Sequence, residues 1–224
     1  MTTVFIISAP SGSGKSTLVN EIRRRVPKLE FSISYTTRKP RGKETDGKEY
    51  FFVSREDFED MIRDHFFLEY ANVFGNYYGT ARRFLEKAEI LGSDLLLDID
   101  VAGAAQIKSL LPAVSIFVLP PNRAELERRL RERSQDSEET IQRRLDAASR
   151  EIENYWKYDY ILVNDRLPDS VAALEAILLS ERGKRDGRPD EGLSATAQKY
   201  RLENVRERLQ PILQSFGKTA ASVK

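Results

Sequence analysis

Apolar residues gather along this chain in short runs, and between the runs they return every three or four positions. Residues 4–7, 95–100, 115–119 and 160–163 are runs of the first kind. Their lack of alternation predicts strands covered on both faces, as in a parallel sheet. Residues 16–25 carry helical spacing and stop before Pro27. Residues 31–34 alternate apolar and polar, and residues 50–53 form a further apolar run, so both read as strands. Ser54 with Asp57 three positions on marks a helix start, and the helix runs to about residue 64. Residues 69–73 and the pair Tyr77, Tyr78 predict a hairpin turning at Gly75 and Asn76. Thr80 is expected to open the next helix, which runs toward Leu91 and ends at Gly92. Strands alternating with helices give an α/β class with a central parallel sheet, into which residues 34–80 insert a small mixed β unit.

The second half is more polar. Asn122 with Glu125 reads as a helix cap, and residues 122–150 read as a helix hairpin broken near 134–137 before Glu138. This segment carries eight arginines against seven acids. It is therefore either a solvated charged hairpin or an anion-binding one, since guanidinium forks match phosphate oxygens. Arg129 and Arg133 share one helical face. Residues 183–194 are polar and glycine-rich, the pattern of a linker, and 195–224 form a helical extension. There Leu202, Val205, Leu209, Ile212 and Phe216 make an apolar stripe that must pack on this chain or on a second copy, as a homo-oligomer. Pro211 should kink or end that helix part-way, and residues 218–224 should fray.

Charge and composition narrow the function classes. A formal net charge of +1 over 224 residues argues against a general nucleic-acid or membrane binder, so any basic site must be local. The absence of cysteine excludes disulfides and thiolate metal sites and suits a cytoplasmic protein. No apolar run approaches a membrane span, and no cleavable leader is visible. The single histidine, His65, sits beside Phe66 and Phe67 and reads as structural.

The chemistry begins at Ala9, Pro10, Ser11, Gly12, Ser13, Gly14, Lys15, Ser16 and Thr17, between the first strand and the first helix. These residues meet the phosphate-loop pattern G-x-x-x-x-G-K-[ST], with Ala9 in the place of the first glycine. Gly12 and Gly14 let backbone N–H groups turn inward, and the helix start adds its positive dipole. Lys15 is placed to reach the outer phosphates of a nucleoside triphosphate, and the Ser16 hydroxyl to sit on Mg²⁺. Asp98 and Asp100 end a core strand, where they either face the metal or acceptor or cap the following helix.

Together these residues resemble the guanylate kinases, which turn GMP into GDP. The resemblance spans about residues 4–182. It rests on the phosphate loop, on S-x-x-T-T-R-x-P-R-x-x-E from Ser34 to Glu44, and on D-G-x-x-Y from Asp46 to Tyr50. F-G-N-Y-Y-G-T from Phe74 to Thr80, L-D-I-D-x-x-G from Leu97 to Gly103 and V-N-D from Val163 to Asp165 complete it. It implies a phosphate-loop core (1–33, 81–121, 151–182), a GMP-binding insert (34–80) and a mobile lid (122–150), with ATP and GMP as substrates and Mg²⁺ as cofactor. It also implies that Ser34, Arg38, Arg41 and Tyr50 hold the GMP phosphate, that Glu69 and Thr80 read guanine with Tyr78 beside them, and that Asp98 and Asp100 lie on the acceptor side. Lys15, Arg38 and the lid arginines Arg129, Arg133 and Arg144 then act on the transferring phosphates, and Asn164 meets adenine. A carboxylate at Glu69 suits guanine, whose ring N–H and amino group lie side by side. One departure is Ser134, where the family usually has glycine after the lid arginine; nothing transfers beyond about residue 183. Two other readings stand beside this one. A peptide-binding scaffold domain that has lost catalysis is opposed by the retained Lys15 and arginines, and a kinase for another small molecule is opposed by the 34–80 motifs.

Overall fold

The computed structural model describes residues 1–73, 75–133 and 137–217, apart from the Arg133 side chain. The first half runs β1 (Val4–Ser8), α1 (Lys15–Arg25), β2 (Leu29–Ser32), β3 (Tyr35–Thr36), β4 (Phe51–Phe52), α2 (Arg55–Arg63), β5 (Phe67–Val73), β6 (Asn76–Ala81), α3 (Arg83–Ile90) and β7 (Asp94–Asp98). The second runs α4 (Val101–Leu110), β8 (Ala113–Leu119), α5 (Arg123–Arg133), α6 (Glu138–Ile152), β9 (Tyr160–Val163), α7 (Leu167–Arg185), α8 (Glu191–Gln198) and α9 (Leu202–Ser215). The chain forms two compact units: Met1–Ile6 with Lys28–Ala113, and Ile7–Pro27 with what is described from residue 114 on. The α/β class with a central parallel sheet is as expected, the strand order being β2-β7-β1-β8-β9. Strand β1 is divided between the units and is buried at all five residues, which explains its unbroken apolar run.

In the first unit β2 runs parallel to β7, with Leu29 opposite Asp94. A second sheet, β4-β3-β6-β5, carries the inserted hairpin. Its core is aromatic: Phe58 from α2 stacks on Phe67 at 4.4 Å and on Tyr77 at 5.1 Å, and Tyr35 stacks on Phe51 at 4.7 Å. Losing one such buried ring costs about 3–5 kcal/mol, so this cluster is what holds the small sheet. The predicted start of α2 is present as a reciprocal cap, Ser54 Oγ accepting from the Asp57 N–H at 3.0 Å. Thr80 does not open a helix. It and Ala81 complete β6 opposite Glu69 and Phe67, and α3 begins only at Arg83. Cross-strand pairing here overrides a local helix-start signal.

In the second unit β8 runs parallel to β9, with Ile116 opposite Tyr160. The stretch expected as a linker is helical at both ends: α7 continues to Arg185, and α8 begins at Glu191 behind an Asp190 cap. Helix α9 runs through Pro211 to Ser215, with Val205 and Leu209 buried before the proline and Ile212 and Leu213 after it. Tertiary burial on both sides of the proline outweighs the lost backbone hydrogen bond. The stripe is covered by its own chain, α9 packing on β9 and α5. The Ile161 N–H donates to the Tyr200 carbonyl at 2.8 Å and the Leu202 N–H to the Asp159 carbonyl at 3.1 Å, so the extension also satisfies backbone groups of the edge strand. The expectations for Phe74, Ser134 and residues 218–224 lie outside the described residues.

Candidate active site

The phosphate loop belongs to the second unit and is shaped by backbone geometry. Gly14 is the N-cap of α1 with φ 86°, and a Cβ there would lie 2.3 Å from Asn164 Nδ2. Only glycine allows both the left-handed turn and that approach. Asn164, following β9, donates from Nδ2 to the Ser13 carbonyl at 2.8 Å and so ties the loop to the end of the sheet. Asn164 Oδ1 and Ser13 Oγ are buried without a hydrogen-bond partner among the described residues. Lys15 is half-buried, while Ser16 and Thr17 stand exposed on the first turn of α1.

Two of the expected arginines reach this loop region. Arg129 donates to the Asn164 carbonyl at 3.0 Å and to Glu125 at 2.7 Å. Arg144 donates to Ser11 Oγ at 2.7 Å. The Arg133 side chain lies outside the described residues. The Asn122 cap on Glu125 is formed at 2.8 Å. The hydrogen bonds from Arg128 lower the Glu125 carboxyl most; burial opposes them, and the Arg129 hydrogen bond and both guanidinium charges help hold it well below the usual carboxylate range. Gly12, Gly14, Thr17, Arg129, Asn164 and Asp165 line an open cleft.

The first unit holds the other expected group. Arg38 is almost fully buried, and its guanidinium forks onto Glu44 at 2.9 and 3.0 Å. The same guanidinium lies 5.1 Å from the centre of the Tyr50 ring, which in turn meets Tyr78 edge-on at 5.9 Å. Glu44 also accepts the Arg41 N–H at 2.7 Å, while the Arg41 side chain is exposed. Burial alone would raise the Glu44 carboxyl, but the Arg38 fork and the Arg41 N–H hold it below its usual range. Ser34 fixes the neighbouring strand by accepting the Phe51 N–H at 3.0 Å.

Glu69 is a charged residue in a buried place, with 4% of its surface exposed. The register of β5 against β6 shifts between Phe67 and Glu69, so Phe67, Leu68 and Glu69 are all buried in succession. Directly opposite, Thr80 Oγ1 donates to Glu69 Oε1 at 2.6 Å. Burial pushes the Glu69 carboxyl up to about 7; the Thr80 hydrogen bond works against this and the charge of Asp100 adds to it. Asp100 is the N-cap of α4, accepting the Gly103 N–H at 2.8 Å, so its capping role and its nearness to Glu69 coexist. Asp98 ends β7, half-buried. His65 is exposed in a left-handed turn (φ 54°) after α2, and its carbonyl accepts a hydrogen bond from Arg82.

The sequence pattern of guanylate kinase matches residues 1–181. The chain belongs to the guanylate kinase family. A guanylate kinase of Koribacter versatilis (strain Ellin345) is 54% identical over 222 residues, covering 96% of this chain and 95% of that protein. One of Escherichia coli (strain K12) is 48% identical over 183 residues, covering 80% and 88%. The crystal structure of guanylate kinase from Anaplasma phagocytophilum superposes with a TM-score of 0.68 at 34% identity, covering 80% of this chain and 86% of that one. Family membership makes the chain an enzyme, a nucleotide-binding kinase. The Koribacter versatilis similarity extends past the family pattern into α8 and α9.

Four residues of this family member gain a place that the sequence did not give them. Glu44 and Gly103 stand in the recognised motifs but carried no role. Glu125 stands in a cap pattern with Asn122, and its i, i+4 spacing to Arg129 is in addition an ion-pair signal. Gln106 had no signal: its amide brackets the Tyr70 backbone, donating to the carbonyl at 2.8 Å and accepting the N–H at 3.4 Å.

Proposed function

We propose that this chain transfers the terminal phosphoryl group of ATP to GMP, and to dGMP, by direct in-line displacement, giving ADP and GDP in the purine metabolism of the cytoplasm. The observation that carries this reading is the buried Glu69 carboxylate opposite Thr80. Guanine offers a ring N–H and an amino group side by side, and an ionised carboxylate accepts both. Adenine would turn a bare ring nitrogen toward it and leave the buried charge unpaired, a mismatch worth about 10⁴-fold in sites of this kind. Arg38, Arg41, Tyr50 and Ser34 would take the GMP phosphate, Arg38 being aimed by Glu44. That phosphate is already ionised at neutral pH, so no strong general base is needed. On the donor side, loop N–H groups, Lys15, Arg129, Arg133 and Arg144 would offset charge on the transferring oxygens, and Asn164, which lines the cleft beside the loop, would lie near adenine.

Mg²⁺ fits the donor set. Ser16 offers an exposed hydroxyl at the start of α1, and among the described residues no three acidic or histidine side chains group into a metal cage. A hard cation that takes one or two protein oxygens and completes its shell with phosphate and water suits such a place. When bound, the ion would neutralise charge on the phosphate oxygens.

No described helix is long and apolar enough to cross a membrane, and the reading needs no second copy of the chain. A coupled assay of ADP release with GMP, dGMP, AMP, UMP, dTMP or no acceptor tests it. Turnover confined to GMP and dGMP is expected; equal turnover with AMP, or none with any acceptor, would overturn it.

A further inference from the structure

Helix α4 carries a glycine where a helix gains from almost any other residue. Gly103 is the third residue of α4, behind the Asp100 cap, and glycine is the poorest helix former after proline. Its backbone is ordinary helix, so no left-handed turn requires it there. What surrounds it does. A Cβ at position 103 would lie 2.5 Å from Glu69 Oε2, 3.0 Å from the Glu69 carboxyl carbon and 3.3 Å from Asp100 Oδ1. The Glu69 carboxylate therefore occupies the space that any side chain at 103 would fill.

Glu69 has no easy retreat. Its other oxygen is held by Thr80 at 2.6 Å, and the residue is buried. The strand that carries it is clamped from the same helix, one turn on, by the two hydrogen bonds of Gln106 to the Tyr70 backbone. Gly103 and Gln106 sit three residues apart, on one face of α4. One fixes the backbone beside Glu69 while the other leaves room for its head group.

We infer that Gly103 is a specificity-determining position: by lacking a Cβ it sets where the Glu69 carboxylate stands and so lets that carboxylate take both guanine donors. The inference rests on the reading of Glu69 as the guanine contact. Gly103 itself touches no substrate in this account and acts only through Glu69.

The test is a double-mutant cycle on the full chain with Gly103→Ala and Glu69→Asp. Displacing a reading group by about 1 Å costs up to about 100-fold. Gly103→Ala is expected to lower kcat/KM for GMP by about 10- to 100-fold, to narrow the preference for GMP over AMP, and to leave KM for ATP nearly unchanged. Aspartate withdraws the carboxylate by one methylene. In the Glu69→Asp background Gly103→Ala should therefore add less than about threefold. If Glu69→Asp impairs GMP use but Gly103→Ala does not, or if Gly103→Ala costs the same in both backgrounds, the inference fails. If Glu69→Asp leaves GMP kinetics at the wild-type level, the reading of Glu69 has failed instead. Should Gly103→Ala fail to fold while the double variant folds, the collision with Glu69 is supported; if neither folds, the role is structural and the inference is overturned.

Discussion

Glu69 and the phosphate loop hold their polar groups in contrasting ways. Around Glu69 one carboxylate is almost fully buried, opposed by one hydroxyl and with the charge of Asp100 nearby, and its carboxyl is pushed up to about 7. Around the loop the geometry is made by backbone, Gly14 and the Asn164–Ser13 bond, while Ser16 and Thr17 face solvent. Charge near the loop is plentiful and already paired, as with Arg128 and Arg129 on Glu125. Burial makes the first region depend on single atoms and on one proton. In the second, the proposed function would spread the load over several N–H groups and cations, each placed to act on phosphate charge. On the proposed reading, a base would meet a buried, single contact, and a triphosphate an exposed, redundant one.

The contrast breaks most visibly at Lys15, the one loop residue expected to act as a point charge on the outer phosphates. Lys15→Ala should lower turnover by about two to three decades, the cost of losing a comparable transition-state contact of about 3–4 kcal/mol. The circular dichroism spectrum and melting temperature should be retained. Single-turnover kinetics near the wild-type rate would remove Lys15 from the chemistry.

Arg144→Ala sharpens the idea of redundancy. This arginine reaches the loop through Ser11 Oγ, and a hydrogen bond to a charged group is worth about 1.5–3 kcal/mol. The expected result is a fall in kcat of about 10- to 100-fold with GMP affinity, measured by calorimetry, little changed. Lost GMP affinity with unchanged kcat would detach Arg144 from the transferring phosphates.

A smaller effect distinguishes the two regions by pH. Below about pH 7 Glu69 becomes protonated and would turn a donor toward guanine, so GMP affinity should weaken by up to about tenfold per unit of falling pH. GMP binding in turn favours the ionised carboxylate. The GMP phosphate titrates in the same range, so the relevant quantity is the difference in slope between wild type and Glu69→Gln, whose side chain cannot ionise. Equal slopes would mean that the Glu69 proton plays no part. Without GMP the sign for folding is opposite: a carboxyl raised in the folded state favours folding below its ordinary pKa and loses that contribution as pH rises through about 7.

What the sequence made legible is local. The strand–loop–helix at residues 4–25, the Ser54 cap and the β5–β6 hairpin follow from apolar spacing, capping chemistry and turn residues close in the chain. What it hid is non-local. Asn164 and Ser13 are 151 positions apart, and no pattern at either residue announces the bond that shapes the loop. Thr80 carries a helix-start signal, yet its partner Glu69 lies across a strand pair, and the helix waits until Arg83. The polar composition of residues 183–194 suggested a linker because α7 and α8 bury few of those side chains, although backbone helix forms at both ends. Within the candidate site, residue types were readable from their motifs, whereas the burial of Glu69 and the space beside Gly103 are properties of packing alone.

The central claim is that one buried carboxylate decides the acceptor, and Glu69→Gln tests it most directly, because glutamine keeps the size and replaces one acceptor with a donor. Steady-state kinetics with GMP, AMP and ATP should show kcat/KM for GMP lowered by at least about 2 kcal/mol in transition-state terms, roughly 30-fold. The GMP-to-AMP preference should narrow, and KM for ATP should stay within about twofold of wild type. GMP kinetics and GMP-to-AMP preference both unchanged in this variant would contradict the account and assign the reading of the base to another residue.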